Sequence, residues 1–65
     1  MNVTINGEAR LVEATTLQAL LAELGHAASI VATARNGEFV AISERGETRL
    51  REGDRIEILA PMKGG

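Results

Sequence analysis

The residues with the clearest chemical potential stand at the end of the chain, where Pro61, Met62 and Lys63 are followed by Gly64 and Gly65. A glycine pair buries no side chain and loses much backbone entropy on folding, so it adds nothing to a core. Chain ends of this composition are often frayed, and a disordered stub is one interpretation. The other is a thin, flexible segment that carries the free carboxylate of Gly65 into the active site of another protein, through a channel too narrow for any Cβ atom. The tail alone leaves both open.

The rest of the composition offers little other chemistry. The chain has no cysteine, which excludes disulfides, thiolate metal sites and a cysteine nucleophile. A reducing compartment is compatible with this composition. His26 is the only histidine, and a histidine with no second ligand or nucleophile beside it indicates a structural or solvent role. We therefore predict a protein that is not an enzyme and that binds no metal or cofactor itself.

Charge and hydropathy limit the classes of partner that we expect the chain to bind. Nine acids and seven bases give a net charge of −2, whereas nucleic-acid-binding domains are usually strongly basic. We see no targeting segment at the start and no apolar run near the roughly 20 residues of a membrane helix. We expect a cytoplasmic protein, monomeric when alone, without nucleic-acid or membrane partners. Charges of both signs alternate late in the chain and predict a mixed solvated surface: Glu44, Arg45, Glu47, Arg49, Arg51, Glu52, Asp54, Arg55 and Glu57.

The N-terminal stretch predicts a hairpin. Apolar and polar residues alternate over 1–6, which is the period of a half-buried strand. Asn6-Gly7 suits a tight turn because both residues tolerate positive φ. Residues 8–13 return as a second strand, whose poorer alternation is typical of an edge.

A helix is predicted over 16–24. Thr15-x-x-Gln18 fits a capping box, in which the threonine accepts from the first turn and the glutamine reaches back. Gly25 supplies the left-handed residue that ends the helix. Four leucines at i, i+3, i+4 and i+7 form one apolar face: Leu17, Leu20, Leu21 and Leu24.

The second half of the chain predicts three more strands. The elements in order are a strand over 30–35, a tight turn at Asn36-Gly37, a short strand over 38–42, a polar loop over 43–48, the isolated apolar Leu50, a turn over 52–54 and a last strand over 55–60. Phe39 is the only aromatic residue, so the core must be aliphatic.

This order of elements predicts one domain over 1–60 and a flexible tail over 61–65. The helix is a crossover, so the strands before and after it can run parallel, with a right-handed connection. Its leucines need an apolar sheet face, which can come from Val3, Ile5, Val31, Ile56 and Ile58. We predict an α+β fold of the β-grasp, ubiquitin-like type, in which one helix covers one face of a mixed sheet of four to five strands.

Several segments form a recognisable set: Asn6-Gly7, Thr16-Leu17-x-x-Leu20-Leu21, Asn36-Gly37 before Val40, Leu50-x-x-Gly53-Asp54-x-Ile56-Glu57-Ile58 and the ending Ala60-Pro61-Met62-Lys63-Gly64-Gly65. With the short length, they resemble the ubiquitin-like sulfur carriers along the whole chain, most closely the ThiS family of thiamine biosynthesis. The ending is the most specific part. Many members carry a tryptophan in the loop after the fourth strand, where this chain has Ser43-Glu44-Arg45-Gly46. That difference bears on the downstream partner more than on the tail.

The resemblance implies a defined chemistry for the tail. An ATP-using, E1-like adenylyltransferase would adenylate the carboxylate of Gly65. Sulfur from a persulfide enzyme or from sulfide would then displace AMP and leave a thiocarboxylate on Gly65. The thiocarboxylate would give its sulfur to thiazole formation with thiazole synthase. The tail over 61–65 would enter these partners.

The outer face of the sheet is the predicted docking face. Alternate residues of the last strand point toward the helix, so Glu57 and Leu59 point away from it, and Ala32 and Ala34 of the third strand share their face. Leu59 beside small residues could seat a partner side chain near the tail. The alternative is an ordinary exposed leucine, which needs no partner.

Three other functions stay open on the residues alone. The carrier could serve another pathway, as in molybdopterin synthase small subunits, tRNA thiolation or an amino-acid route, although the short length favours thiamine. It could be a protein modifier joined through Gly65 to lysines of its targets, but its only lysine is Lys63 in the tail, so chains built on internal lysines are nearly excluded. It could also be a plain binding module with an incidental Gly-Gly end.

Overall fold

The computed structural model describes residues 1–26 and 30–60, which form a five-stranded mixed sheet and one α-helix packed on it. The elements are β1 (Asn2–Ile5), β2 (Glu8–Leu11), α1 (Leu17–Glu23), β3 (Ala32–Arg35), β4 (Glu38–Val40), a 3₁₀ helix (Ile42–Glu47) and β5 (Arg55–Leu59). The predicted arrangement of one helix over one mixed sheet is confirmed.

Strand β5 lies at the centre of the sheet, whose order is β2-β1-β5-β3-β4. It runs parallel to β1, with Ile5 opposite Ile56, and antiparallel to β3, with Thr33 opposite Ile58. Strands β2 and β4 pair antiparallel with β1 and β3 and form the two edges, as predicted for β2. Strands β2 and β3, which precede and follow α1 in the chain, therefore run in the same direction, although they are not neighbours in the sheet.

The core lies between α1 and the inner face of the sheet. Leu17 and Leu20 have no exposed surface, and complete burial of a leucine contributes about 1.5–3 kcal/mol. Phe39 is largely exposed, so the core is aliphatic, as the composition predicts. In the described parts of the chain, the other buried apolar residues are Val3, Ile5, Val12, Ala14, Leu21, Val31, Val40, Leu50, Ile56 and Ile58.

Both Asn-Gly dipeptides form the predicted tight turns. Asn6 has a φ of 49° and Gly7 a φ of 86°, and Asn36 and Gly37 repeat these values at 51° and 86°. Positive φ at both central residues is the hairpin geometry that matches the twist of the flanking strands. The β1–β2 and β3–β4 hairpins follow directly from these turns.

The helix begins one residue later than the capping-box prediction requires. The N-cap is Thr16, whose Oγ1 accepts a hydrogen bond from the backbone N–H of Ala19 at 3.1 Å. The backbone carbonyl of Thr15 instead accepts from the N–H of Leu50 at 2.9 Å, which places Thr15 in the connection to the segment before β5. Gln18 lies against Gly46 of the 3₁₀ helix. The prediction of a Thr15–Gln18 capping box is therefore wrong, because both residues contact segments that are distant in the sequence.

Replacing Thr16 by alanine is expected to lower the free energy of unfolding by about 1 kcal/mol, since the first turn loses its N-cap acceptor. Thr15→Ala is the matched control. It should change stability by less than about 0.5 kcal/mol, because Thr15 is held through a backbone carbonyl that alanine keeps. Urea unfolding measures both, and a larger loss in Thr15→Ala would favour the original capping box.

The predicted polar loop over 43–48 is largely a 3₁₀ helix, and its Arg45 is only 8% exposed. The prediction that Arg45 is part of a solvated surface is therefore wrong. Its Nε donates to Oγ1 of Thr33 at 3.0 Å, and its Nη2 donates to the carbonyl of Val31 at 2.6 Å. The guanidinium thus ties the 3₁₀ helix to the start of β3. The alternation of charges could not reveal this, because the burial depends on where the 3₁₀ helix packs.

Asp54 is the second residue wrongly predicted to be solvated, since it is only 6% exposed. Its carboxylate accepts from the backbone N–H of Arg51 at 2.9 Å, from Nδ2 of Asn36 at 3.0 Å and from Nε of Arg35 at 2.9 Å. Burial by itself would raise the pKa of Asp54. The hydrogen bonds from Asn36, Arg51 and Arg35, with the positive charge of Arg35, outweigh burial and hold the pKa below its ordinary value of 3.8. Asp54 joins the turn before β5 to the β3–β4 hairpin.

Candidate functional site

Strand β5 leads into the tail that the sequence marks as the chemical site. It ends at Leu59, and the exposed Ala60 follows. Because β5 is the central strand, β1 borders it on one side and β3 on the other. The predicted reactive residue is Gly65, and the predicted inserted residues are Pro61, Met62, Lys63, Gly64 and Gly65. All of them lie outside the described residues, so their roles stay predictions.

The four predicted docking residues lie together on the outer face of the sheet. The β3–β5 register places Leu59 opposite Ala32 and Glu57 opposite Ala34. Leu59 is 64% exposed, while the alternate residues of β5 are buried against the core. The pleat of two neighbouring strands therefore assembles the group, as the period-two pattern predicts. That a partner docks on it stays a prediction.

Phe39 belongs to the same face and was missed in reasoning from the sequence. It pairs with Ala34 across the β3–β4 hairpin and is 72% exposed. Together with the four predicted docking residues, it lines a shallow depression of about 110 Å³. The signal that could have found it is register, because a two-residue turn at Asn36-Gly37 places Ala34 opposite Phe39.

The depression suits docking better than catalysis. Phe39 and Leu59 both line the depression and keep apolar surface in water, and contiguous exposed apolar surface is typical of interaction sites. Over residues 1–26 and 30–60, no three histidine, cysteine, aspartate or glutamate residues come close enough to hold a metal ion. His26 lies beyond the end of α1, where its backbone N–H donates to the carbonyl of Leu21 at 2.7 Å.

The helices in the described parts of the chain are too short or too polar to cross a membrane.

Comparison with known proteins decides the family. A family model described as the ThiS family matches residues 3–65, which is almost the whole chain and includes the Gly-Gly ending. The chain belongs to the ThiS family. The resemblance predicted from the sequence segments is thereby confirmed.

Two relatives show how a ThiS-family chain occurs in other proteins. The chain is 40% identical over 63 residues to the sulfur carrier protein ThiS of Thermus thermophilus, covering 97% of this chain and 98% of that protein. It is 42% identical over 66 residues to a thiazole synthase of Paramagnetospirillum magneticum. That match covers all of this chain but only 20% of the synthase, so the chain spans about a fifth of that relative.

Two solved structures of a ThiS protein from Geobacter metallireducens share the fold. The crystal structure superposes with a TM-score of 0.85 at 32% identity and full coverage of both chains. The solution structure superposes with a TM-score of 0.80 at 33% identity, over all of this chain and 88% of the other. The predicted β-grasp fold is therefore confirmed at the level of the whole chain.

Proposed function

We propose that this chain is the sulfur carrier of thiamine biosynthesis and that the sulfur is carried as a thiocarboxylate on Gly65. The observation that supports this most is the extent of the ThiS-family match, which runs through residue 65 and so includes both terminal glycines. The name of the full-length Thermus thermophilus relative, a sulfur carrier protein, agrees with it.

The proposed chemistry begins with the carboxylate of Gly65, which is a poor electrophile because it is ionised at neutral pH. Attack of this carboxylate on the α-phosphorus of ATP gives an acyl adenylate and pyrophosphate. Sulfide then attacks the carbonyl carbon, AMP leaves, and a thiocarboxylate remains. Its sulfur is passed on to thiazole formation.

We assign the catalysis of these steps to partner proteins. The chain contains no cysteine and a single histidine, so it offers no thiolate nucleophile and no paired histidines. An E1-like adenylyltransferase would bind ATP and the tail. Free sulfide, or a persulfide enzyme together with a thiol that reduces the resulting acyl disulfide, would supply the sulfur. The chain itself is then a co-substrate that presents one reactive atom.

Thiazole synthase is the downstream partner that the comparisons favour. A region similar to this whole chain makes up a fifth of the Paramagnetospirillum magneticum thiazole synthase. A carrier and a synthase in one polypeptide meet at a high effective concentration, which suits two proteins that act in successive steps. The matched names point to thiamine rather than to molybdopterin synthesis, tRNA thiolation or protein modification.

The proposal is tested by incubating the chain with an E1-like activating enzyme, ATP and sodium sulfide. Intact and C-terminal peptide masses are then measured. The C-terminal peptide is also fragmented, because replacing oxygen by sulfur has the same nominal mass change as oxidising Met1 or Met62. A thiol-reactive label gives an independent readout, since the chain has no cysteine. An ATP-dependent label on the C-terminal peptide supports the proposal, and an unchanged tail with an enzyme that modifies another carrier contradicts it.

Docking on the outer face leads to a separate prediction. Replacing Leu59 by glutamate should lower kcat/KM for adenylation by about tenfold or more, because a charge replaces an apolar anchor beside the tail. Ile42→Glu is the matched control, since Ile42 is 73% exposed but lies on the 3₁₀ helix, away from the depression. Kinetics with the activating enzyme measure both variants, and equal losses would contradict docking at Leu59.

A further inference from the structure

Strand β5 extends further than the strand it runs parallel to. The β1–β5 register ends at Ile5 opposite Ile56, and the backbone N–H of Asn6 still donates to the carbonyl of Ile56 at 2.9 Å. At Asn6, directly after β1, the backbone turns away with a φ of 49°, while β5 continues to Leu59. Ile58 therefore lies beyond the last backbone pair on this side of the strand.

The side chain of Asn6 takes the place of the missing strand residue. Its Oδ1 accepts a hydrogen bond from the N–H of Ile58 at 2.8 Å, and its Nδ2 donates to the carbonyl of Ile58 at 3.0 Å. A side-chain amide carries both a donor and an acceptor, like a peptide group, so one residue can satisfy both backbone groups of Ile58. Asparagine also tolerates the positive φ that the turn requires.

We propose that Asn6 is a positioning residue for the tail, because it fixes the end of β5, which the tail follows in the sequence. This inference rests on the proposed function of Gly65. Ile58 precedes Gly65 by seven residues, which span at most about 23–25 Å when extended. Without the bonds from Asn6, the β1 side of β5 is held only as far as Ile56, and Ile58 and Leu59 are held by β3 alone.

Greater motion at the end of β5 lowers the effective concentration of Gly65 in a partner's active site. It also loosens Leu59, the predicted docking residue, which follows Ile58 directly and is paired only with β3 through Ala32. Asn6 thus limits the motion of the predicted docking residue and of the position from which the tail continues. Loss of its side chain should disturb the use of the tail more than it disturbs the fold.

Asn36 provides a matched comparison at the other end of the same strand. Its Oδ1 accepts from the N–H of Arg55 at 2.9 Å, and its Nδ2 donates to Asp54 at 3.0 Å. It occupies the same position of the same type of turn, with a φ of 51°. The two asparagines therefore hold the beginning and the end of β5, and only Asn6 lies at the end that leads to Gly65.

The test compares Asn6→Gly with Asn36→Gly, since glycine removes the side-chain hydrogen bonds while keeping positive φ without strain. Each variant is studied at a temperature at which circular dichroism shows it to be folded. Amide hydrogen exchange at Ile58 should speed up by about tenfold in Asn6→Gly and stay near the wild-type rate in Asn36→Gly. With the activating enzyme, ATP and sodium sulfide, kcat/KM should fall by about tenfold in Asn6→Gly and by less than about twofold in Asn36→Gly.

Asn6→Asp tests the donor half of this pair of bonds. It keeps an oxygen that accepts from the N–H of Ile58 but places a second acceptor against the carbonyl of Ile58, so kcat/KM should stay well below the wild-type value. Equal losses of kcat/KM in the two glycine variants would overturn the proposal, because they would show a general effect of strand stability. Unchanged exchange at Ile58 in Asn6→Gly would overturn it as well. If the wild-type chain acquires no sulfur, the proposed function fails, whereas exchange at Ile58 still decides whether Asn6 holds the strand.

Discussion

A variant that lacks Gly65 is expected to keep the fold and to lose thiocarboxylate formation. Within residues 1–26 and 30–60, every core residue lies between Val3 and Ile58, so we expect the deletion to leave the free energy of unfolding unchanged. The terminal carboxylate, however, would end about 3.3–3.6 Å short of its place in a partner's active site. A misplacement of about 1 Å can cost about 100-fold in rate, so we expect formation of the labelled tail to fall by more than about 100-fold.

Gly65→Ala is the companion variant, because it keeps the length of the tail and adds only a Cβ atom. A loss with Gly65→Ala would show that the partner's channel is narrow, whereas a loss with the deletion alone would show that reach is what matters. Both variants are measured with the ATP-dependent thiol label and with urea unfolding. Full labelling of the shortened chain would contradict the assignment of Gly65 as the reactive residue.

Replacing Asp54 by alanine is expected to destabilise the domain by about 2–3 kcal/mol, since it leaves the donors that surround a buried carboxylate without their acceptor. The change removes an acceptor shared by Arg35, Asn36 and the backbone of Arg51. A chain of this length has a total stability of roughly 3–10 kcal/mol, so the loss should be a large fraction of the total and should lower the urea midpoint clearly. Urea unfolding at neutral pH measures the loss.

Glu57→Ala is the matched control for Asp54→Ala. Glu57 carries a carboxylate on β5, but it is exposed on the outer face, where removing a charge should cost less than about 0.5 kcal/mol. Similar losses in the two variants would contradict the central role of Asp54 and would indicate a general effect of net charge.

The pH dependence of stability provides a second readout for Asp54. Its pKa in the folded state lies below the ordinary value of 3.8, so folding favours the ionised form. The stability that Asp54 contributes is therefore fully present above about pH 4–5 and is lost as the pH falls through the lowered pKa. Unfolding experiments from neutral pH down to about pH 2 should show this loss in the wild type and a shallower slope in Asp54→Ala.

Much of the fold could be read from local patterns. The alternation over 1–6, the two Asn-Gly turns and the four-leucine face predict β1, both hairpins and α1, because each depends on residues close together in the chain. The errors fall where distant segments meet. Thr15 and Gln18 fit a capping box by spacing, yet Leu50 and Gly46 contact them in the folded chain, and the cap moves to Thr16.

The same reason explains the two charged residues that were wrongly placed in solvent. Arg45 and Asp54 stand in a stretch of alternating charges, which by itself is typical of an exposed surface. Arg45 is buried against acceptors at the start of β3 that lie 12–14 residues away in the chain. Asp54 is buried against donors at the β3–β4 turn that lie 18–19 residues away. A local pattern holds no information about such partners.

By itself the sequence determined the family and the position of the proposed chemistry, because the Gly-Gly ending and the turn and strand segments are local features. It also placed Leu59 and Glu57 on one face, since a strand alternates with a period of two. Only the tertiary structure decided that Phe39 shares the depression and that Asn6 holds Ile58, 52 residues away in the chain. Both facts depend on which strands become neighbours, and strand order is decided by the packing of the whole sheet rather than by any single segment.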